Sequence, residues 1–125
     1  MSKLILSIVT PQGEIFNSEI KSVLLPGSEG EFGVLPNHAS VISLLQAGII
    51  SIENIDSTKE LIAVDSGHAK VDENSVIVLA QGAVYLGGSG ESISKQRLEE
   101  ANELLKSAGA NSATLAATLS RLDAK

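Results

Sequence analysis

Up to about Gly88, the apolar residues of this chain come in short runs, and turn-forming residues separate each run from the next. Short runs rich in Val, Ile and Leu are typical of β-strands rather than of helices. We predict strands at residues 4–10, 19–25, 40–45, 49–55, 60–64, 68–71, 76–80 and 83–86. This many short strands in under about 90 residues predicts a β-sandwich or barrel of about eight to ten strands.

The segment Gly87-Gly88-Ser89-Gly90 marks a change of pattern, because three glycines in four residues favour a hinge. An amphipathic helix is predicted to begin near Ser92 or Ser94 and to stop at Gly109. Its apolar stripe consists of Leu98, Ala101, Leu104, Leu105 and Ala108.

A second helix is predicted after Asn111 or Ser112, either of which suits the N-cap position. Two helices joined by so short a connection run antiparallel. The chain is therefore predicted to form a β-sandwich domain over residues 1–88 and a linker with a helical hairpin over residues 89–125. Because both apolar stripes are narrow, we expect a hairpin that detaches from the sandwich.

Composition excludes several classes of protein. The chain has 125 residues, too few for a large catalytic fold, and its net charge of −6 has the wrong sign for holding nucleic-acid phosphates. It has no cysteine, which rules out disulfides and thiolate metal sites. It shows neither a secretory signal nor an apolar run of about 18 residues, so we expect a soluble, intracellular protein.

No set of residues predicts catalysis or metal binding. Asp65, Ser66 and His68 are the residue types of a hydrolytic triad, but neighbours in a tight turn point apart, so a strand-connecting turn is favoured. Glu29 and Glu31 lie in a glycine-rich stretch that we interpret as a solvated acidic loop. The two histidines, His38 and His68, have no metal-ligand spacing.

One segment nevertheless carries a specific resemblance. Residues 25–39 read Leu-Pro-Gly-Ser-Glu-Gly-Glu-Phe-Gly-Val-Leu-Pro-Asn-His-Ala, which resembles the signature of the epsilon subunits of F-type ATP synthases. Residues 6–13, 46–50, 62–71 and 76–80 resemble further strands and turns of that family in the same order. His68 stands where the family usually has a second glycine. The resemblance extends over essentially the whole chain.

The resemblance implies a non-catalytic rotor-stalk subunit of a proton-translocating ATP synthase. Its sandwich is expected to bind the gamma subunit on one face and to rest on the polar loops of the membrane c ring. Its hairpin is expected to extend toward the alpha/beta catalytic head and restrain ATP hydrolysis. Such a subunit is peripheral, on the cytoplasmic face of the bacterial inner membrane.

The same resemblance suggests individual residues. Glu29, Gly30, Glu31 and His38 match the family motif and are expected at the end that faces the c ring, with Gly27, Gly30 and Gly33 shaping the turn through positive φ angles. Expected contacts of the hairpin with the catalytic head are Arg97, Arg121 and Lys125.

Some members of the family bind ATP through an Ile-Asp-x-x-Arg-Ala motif. Here residues 93–98 read Ile-Ser-Lys-Gln-Arg-Leu, which keeps Ile93 and Arg97 but lacks the acidic residue and the alanine. We therefore expect no cofactor and no ATP binding.

Two alternatives come from other classes of protein. A β-sandwich ligand-binding or adaptor module would be favoured by exposed aromatic residues, but the chain has only Phe16, Phe32 and Tyr85. A small hydrolase would need an activated nucleophile, and labelling of Ser66 by a chemical probe would favour it.

Overall fold

The computed structural model describes residues 3–88 and 95–107. These residues form nine strands and one helix: β1 (Leu4–Thr10), β2 (Gly13–Gly27), β3 (Gly30–Val34), β4 (Val41–Leu45), β5 (Gly48–Asn54), β6 (Lys59–Val64), β7 (Gly67–Val71), β8 (Ser75–Ala80), β9 (Ala83–Gly88) and α1 (Lys95–Ser107). The predicted β-sandwich is confirmed, as is the predicted first helix. The linker at 89–94, the predicted stop at Gly109, the second helix, Arg121 and Lys125 lie outside the described residues.

The sandwich has two layers that share one long strand. The first half of β2 pairs with β1, and its second half pairs with β3 and β5. The first layer therefore runs β4-β7-β8-β1-β2, with β1 and β8 parallel, and the second runs β3-β2-β5-β6-β9. A single pair between Gly27 and Leu45 joins the layers at their other edge.

The core lies between the layers. It consists of the side chains that point inward, which are every second residue along a strand such as β1. In β1 the buried residues are Leu4, Leu6, Ile8 and Thr10, with the more exposed Ile5, Ser7 and Val9 between them. This period of two is what a strand with one buried side requires. The core is almost entirely Leu, Ile, Val and Ala, with Phe16, Phe32 and Tyr85 packed at its margins.

A second, smaller core joins α1 to the outside of the second layer. Ala101 and Leu105 are buried there against the outward side chains Ile49, Leu61, Ala63 and Leu86. Leu98 and Leu104 of the predicted apolar stripe are partly buried neighbours, and Ala108 lies outside the described residues. The stripe predicted from helical spacing is thus the surface by which α1 packs on β6 and β9.

The connections between strands gather at the two ends of the sandwich. One end holds residues 28–29, 46–47, 65–66 and 81–82. We call it the hairpin end after its two-residue β-hairpin turns, which are unrelated to the C-terminal helical hairpin. At the opposite end lie residues 35–40, 55–58 and 72–74. None of the described helices is long and apolar enough to span a membrane.

Candidate functional site

Three of the predicted site residues lie together at the hairpin end. Glu29 is in the two-residue turn between β2 and β3, and Gly30 and Glu31 are the first residues of β3. All three are exposed. The turn is fixed by the pairing of Gly27 with Gly30 and by a hydrogen bond from Ser28 N to Leu44 O (2.9 Å). The two carboxylates are therefore presented to solvent on a short, well-anchored turn.

The prediction that these residues lie in a loop is wrong from Gly30 onward, because Gly30–Val34 forms strand β3. Glycines are depleted in strands, and two of them in five residues hide the alternation that turns Phe32 and Val34 inward. The loop is thus reduced to Ser28 and Glu29.

The three motif glycines serve different purposes. Gly30 has the expected positive φ, 129°. Gly27 and Gly33 do not have positive φ, so that expectation is wrong for both. Gly27 is instead required for space, because an ideal Cβ there would lie 2.6 Å from Gly30 O and 2.9 Å from the Phe32 ring. At Gly33 the nearest atom to such a Cβ would be Leu24 Cδ1 at 3.8 Å, an ordinary contact.

His38 does not join this group. It lies in the connection between β3 and β4, at the end opposite the hairpin end, with its Nδ1 2.7 Å from the carbonyl oxygen of Ala39. Asn37 N donates to Glu73 O (2.7 Å), which ties this connection to the β7–β8 turn. Three residue steps along β3, about 10 Å, take the chain from Glu31 to Val34, and His38 lies four residues further on, in the connection. The motif therefore spans the sandwich from end to end and does not form one site.

An exposed apolar surface, not singled out from the sequence, covers the outside of the first layer. Its strands pair in register, so Ile42, Lys70 and Ile77 form one row and Leu44, His68 and Leu79 the next. We call these six residues the open face. Ile42 is 72% exposed, Leu44 58% and Leu79 54%. Lys70 and His68 lie between these apolar side chains, and exposed apolar side chains grouped beside polar ones in this way usually mark an interaction site.

A signal for the open face was present in the sequence. A sheet with one solvated face alternates apolar and polar residues, whereas β4 (VISLL) and β8 (SVIVLA) are apolar on both sides. Such runs indicate strands that are covered on both faces, and here the described residues cover only one.

Two open concavities lie on the sandwich, one beside the open face and one beside His38. One, of about 660 Å³, lies at the hairpin end of the open face, between Leu44, His68 and Leu79. The other, of about 590 Å³, lies on the second layer beside His38, with Glu53 and Lys59 in its wall. Across residues 3–88 and 95–107, no three His, Asp or Glu side chains are grouped so that they could hold a metal ion.

Asp65, Ser66 and His68 do not form a catalytic triad, and residues 65–66 form the predicted strand-connecting turn. Asp65 Oδ1 accepts a hydrogen bond from Gly82 N (2.9 Å), so its carboxylate stabilises the neighbouring β8–β9 turn. Ser66 and His68 are both exposed, the first in the β6–β7 turn and the second on the open face. Asp65 therefore positions a turn and not an imidazole.

Arg97, expected to contact the catalytic head, lies near the start of α1 over the ring of Tyr85. Its guanidinium carbon lies 5.5 Å from the centroid of the Tyr85 ring, within the range of a cation–π interaction. The Tyr85 hydroxyl donates to Glu60 Oε1 (2.7 Å), and Asn54 Nδ2 donates to Glu60 Oε2 (2.8 Å). This network anchors the start of α1 to the second layer.

Comparisons with known proteins agree on one family. Residues 3–85 match the model for the β-sandwich domain of the ATP synthase delta/epsilon chain. The chain is 54% identical over 123 residues to an ATP synthase epsilon chain of Campylobacter concisus, covering 98% of this chain and 95% of that one. It is 57% identical over 118 residues to the epsilon chain of Campylobacter lari, covering 94% and 91%.

A solved structure agrees with these relatives. A chain of the Euglena gracilis mitochondrial ATP synthase, solved as an OSCP/F1/c-ring assembly in rotational state 1, superposes with a TM-score of 0.67 at 25% identity. The match covers 86% of this chain and 66% of that one.

Proposed function

Since this chain belongs to the ATP synthase epsilon-chain family and is a non-catalytic stalk subunit, we propose that its open face binds the gamma subunit and its hairpin end rests on the c ring. In this arrangement the sandwich couples rotation of the ring to the catalytic head. The chain reaches the membrane through the complex, at the cytoplasmic face of the bacterial inner membrane.

The open face is the observation that carries this proposal. Ile42, Leu44, Ile77 and Leu79 lie on three hydrogen-bonded strands, so one flat partner surface can cover all four together. Covering an exposed Leu or Ile side chain contributes up to about 1.5–3 kcal/mol. A tight, long-lived complex with another stalk subunit fits such a surface better than a brief encounter does.

The hairpin end suits a polar partner. Glu29 and Glu31 are exposed carboxylates on a turn that its backbone hydrogen bonds hold in place. Charges at the rim of an interface favour correct orientation and fast association more than they raise affinity. We therefore assign Glu29, Gly30 and Glu31 to docking on the c ring, and we place His38 outside that contact because it lies at the opposite end.

We further propose that the C-terminal segment forms the predicted two-helix hairpin and restrains ATP hydrolysis when it extends toward the catalytic head. Extension requires α1 to leave the second layer, which breaks the Arg97–Tyr85 contact and exposes Ile49, Leu61, Ala63 and Leu86. In the extended state Arg97 becomes available to the head together with Arg121 and Lys125. No nucleotide is assigned to the hairpin.

The open face is tested by introducing a carboxylate into it. Leu44→Asp is expected to abolish recovery of the gamma subunit in a pull-down from solubilised membranes. Ile55→Asp is the matched control, since Ile55 is equally exposed (59%) but lies in the β5–β6 turn. Equal recovery by the two variants, both with unchanged melting temperature, would contradict the proposal.

The hairpin end is tested by charge reversal. Glu31→Lys is expected to lower the number of protons pumped per ATP hydrolysed in reconstituted enzyme. Glu73→Lys, an exposed carboxylate in the β7–β8 turn at the other end, is expected to leave coupling unchanged. Unchanged coupling in both would remove Glu31 from the interface.

Truncation after Gly88 tests the role of the hairpin. The truncated enzyme is expected to retain the gamma subunit, since the open face is intact, and to hydrolyse ATP faster than the full-length enzyme at low proton-motive force. Equal hydrolysis rates would give the hairpin a structural role only.

A further inference from the structure

We propose that Lys70 selects the partner of the open face: the surface that covers it presents a carboxylate opposite the Lys70 ammonium group. This inference rests on the proposed function, because it assumes that the open face is the docking surface. It adds a chemical requirement that the apolar residues alone do not impose.

Lys70 occupies the centre of an apolar row. It lies on β7, and its register neighbours are Ile42 on β4 and Ile77 on β8. Directly opposed residues on adjacent antiparallel strands have Cβ atoms about 4.5–5.5 Å apart. A partner that covers both isoleucines must therefore cover Lys70 as well.

Within residues 3–88 and 95–107, no carboxylate serves as a counter-charge at this position. Among the described residues Lys70 has no ion-pair partner within 4.0 Å. Asp72, in the β7–β8 turn two residues after Lys70, accepts a hydrogen bond from Ser40 Oγ (3.1 Å). Glu14, beyond Ile77 and Ser7, accepts from Ser7 Oγ (2.8 Å) and from Asn17 Nδ2 (3.0 Å).

The other polar residue of the open face does not remove the requirement. His68, two residues along β7, lies between Leu44 and Leu79 and carries no negative charge in either protonation state. Removing an ammonium group from water without a partner is strongly unfavourable. A carboxylate is the acceptor that compensates best, because hydrogen bonds between charged groups are about twice as strong as neutral ones.

The test measures affinity of the full-length chain for the gamma subunit at pH 8, above the range in which imidazoles ordinarily gain charge. Lys70→Met keeps the apolar stem and removes the charge, which leaves the partner's carboxylate covered and unpaired. It is expected to weaken binding by about tenfold or more, and Lys70→Glu by more still. Lys70→Arg is expected to restore most of the affinity.

Salt dependence provides an independent readout. The affinity of the natural chain is expected to fall between about 50 and 500 mM NaCl, and that of Lys70→Met to change much less. Lys21→Met is the matched control, since Lys21 is also exposed on a strand but pairs with Glu53 (3.7 Å) away from the open face. It is expected to retain the affinity and the salt dependence of the natural chain.

Two outcomes overturn different claims. If Lys70→Met binds as tightly as the natural chain or more tightly, while Leu44→Asp fails to bind, the open face is the docking surface but no carboxylate faces Lys70. If Leu44→Asp also binds normally, the open face is not used and the proposed function fails with the inference.

Discussion

The two sheets of the sandwich both carry apolar side chains on their outer surfaces, but the residues that the structure describes cover only one of them. On the second layer Leu61 and Leu86 lie beneath α1 and are at most 2% exposed. On the first layer Ile42 and Leu44 have no described element over them. The comparison shows that equally apolar strands can serve folding on one side and assembly on the other.

The comparison also indicates how the two surfaces respond to change. A residue under α1 stabilises the isolated chain, whereas a residue on the open face contributes only when a partner is present.

Truncating one leucine on each surface should change the free energy of unfolding by very different amounts. Leu86→Ala removes a fully buried side chain and is expected to lower the free energy of unfolding by about 2–5 kcal/mol. Leu44→Ala is expected to change it by less than about 0.5 kcal/mol, because that side chain is already in water. Denaturant unfolding of both variants measures the difference. Similar losses would show that the open face is stabilising in the free chain.

The edge where the two layers meet should be sensitive to a single methyl group. Gly27→Ala places a Cβ against Gly30 O and the Phe32 ring, and is expected to cost about 1–3 kcal/mol. Gly33→Ala has room for the methyl group and is expected to be neutral or to stabilise by up to about 1 kcal/mol. Thermal melts compare the two, and equal destabilisation would contradict the packing described for Gly27.

The attachment of α1 should depend on Arg97. Arg97→Ala removes the contact with the Tyr85 ring and is expected to lower stability by about 0.5–1 kcal/mol. Hydrogen exchange of the α1 amides should accelerate at the same time. Lys106→Ala, an exposed charge near the other end of α1, is the control and is expected to do less.

The smallest effect is expected in the β5–β6 turn, away from both surfaces. Asp56 Oδ1 accepts two hydrogen bonds from Thr58, one from its hydroxyl (2.6 Å) and one from its backbone N (3.1 Å). Together these hydrogen bonds hold the pKa of Asp56 below its ordinary value. A carboxylate whose pKa is lower in the folded state stabilises the fold above its unfolded pKa, and this contribution disappears as pH falls through the folded pKa.

Asp56→Ala should therefore lower the melting temperature slightly at pH 7 and not at all in strong acid. Glu73→Ala controls for the loss of an exposed carboxylate, and a deficit that persists at low pH would assign the effect to turn geometry instead.

Much of this architecture could be predicted from local pattern. The short runs of Val, Ile and Leu located eight of the nine described strands, because turn-forming residues separate each run from the next. The spacing of Leu98, Ala101 and Leu105 predicted both α1 and the side on which it packs. Strand β3 was missed because Gly30 and Gly33 weaken the strand signal and only its pairing with β2 reveals it.

The sequence alone determined the fold class and the family resemblance, since both depend on residue types at short spacing along the chain. Tertiary structure decided which residues meet. It separated His38 from Glu29 and Glu31, turned Asp65 toward Gly82, and aligned Ile42, Lys70 and Ile77 in one row. The physical reason is that strand register and sheet order bring together residues from distant segments, and no local pattern encodes which strand lies beside which.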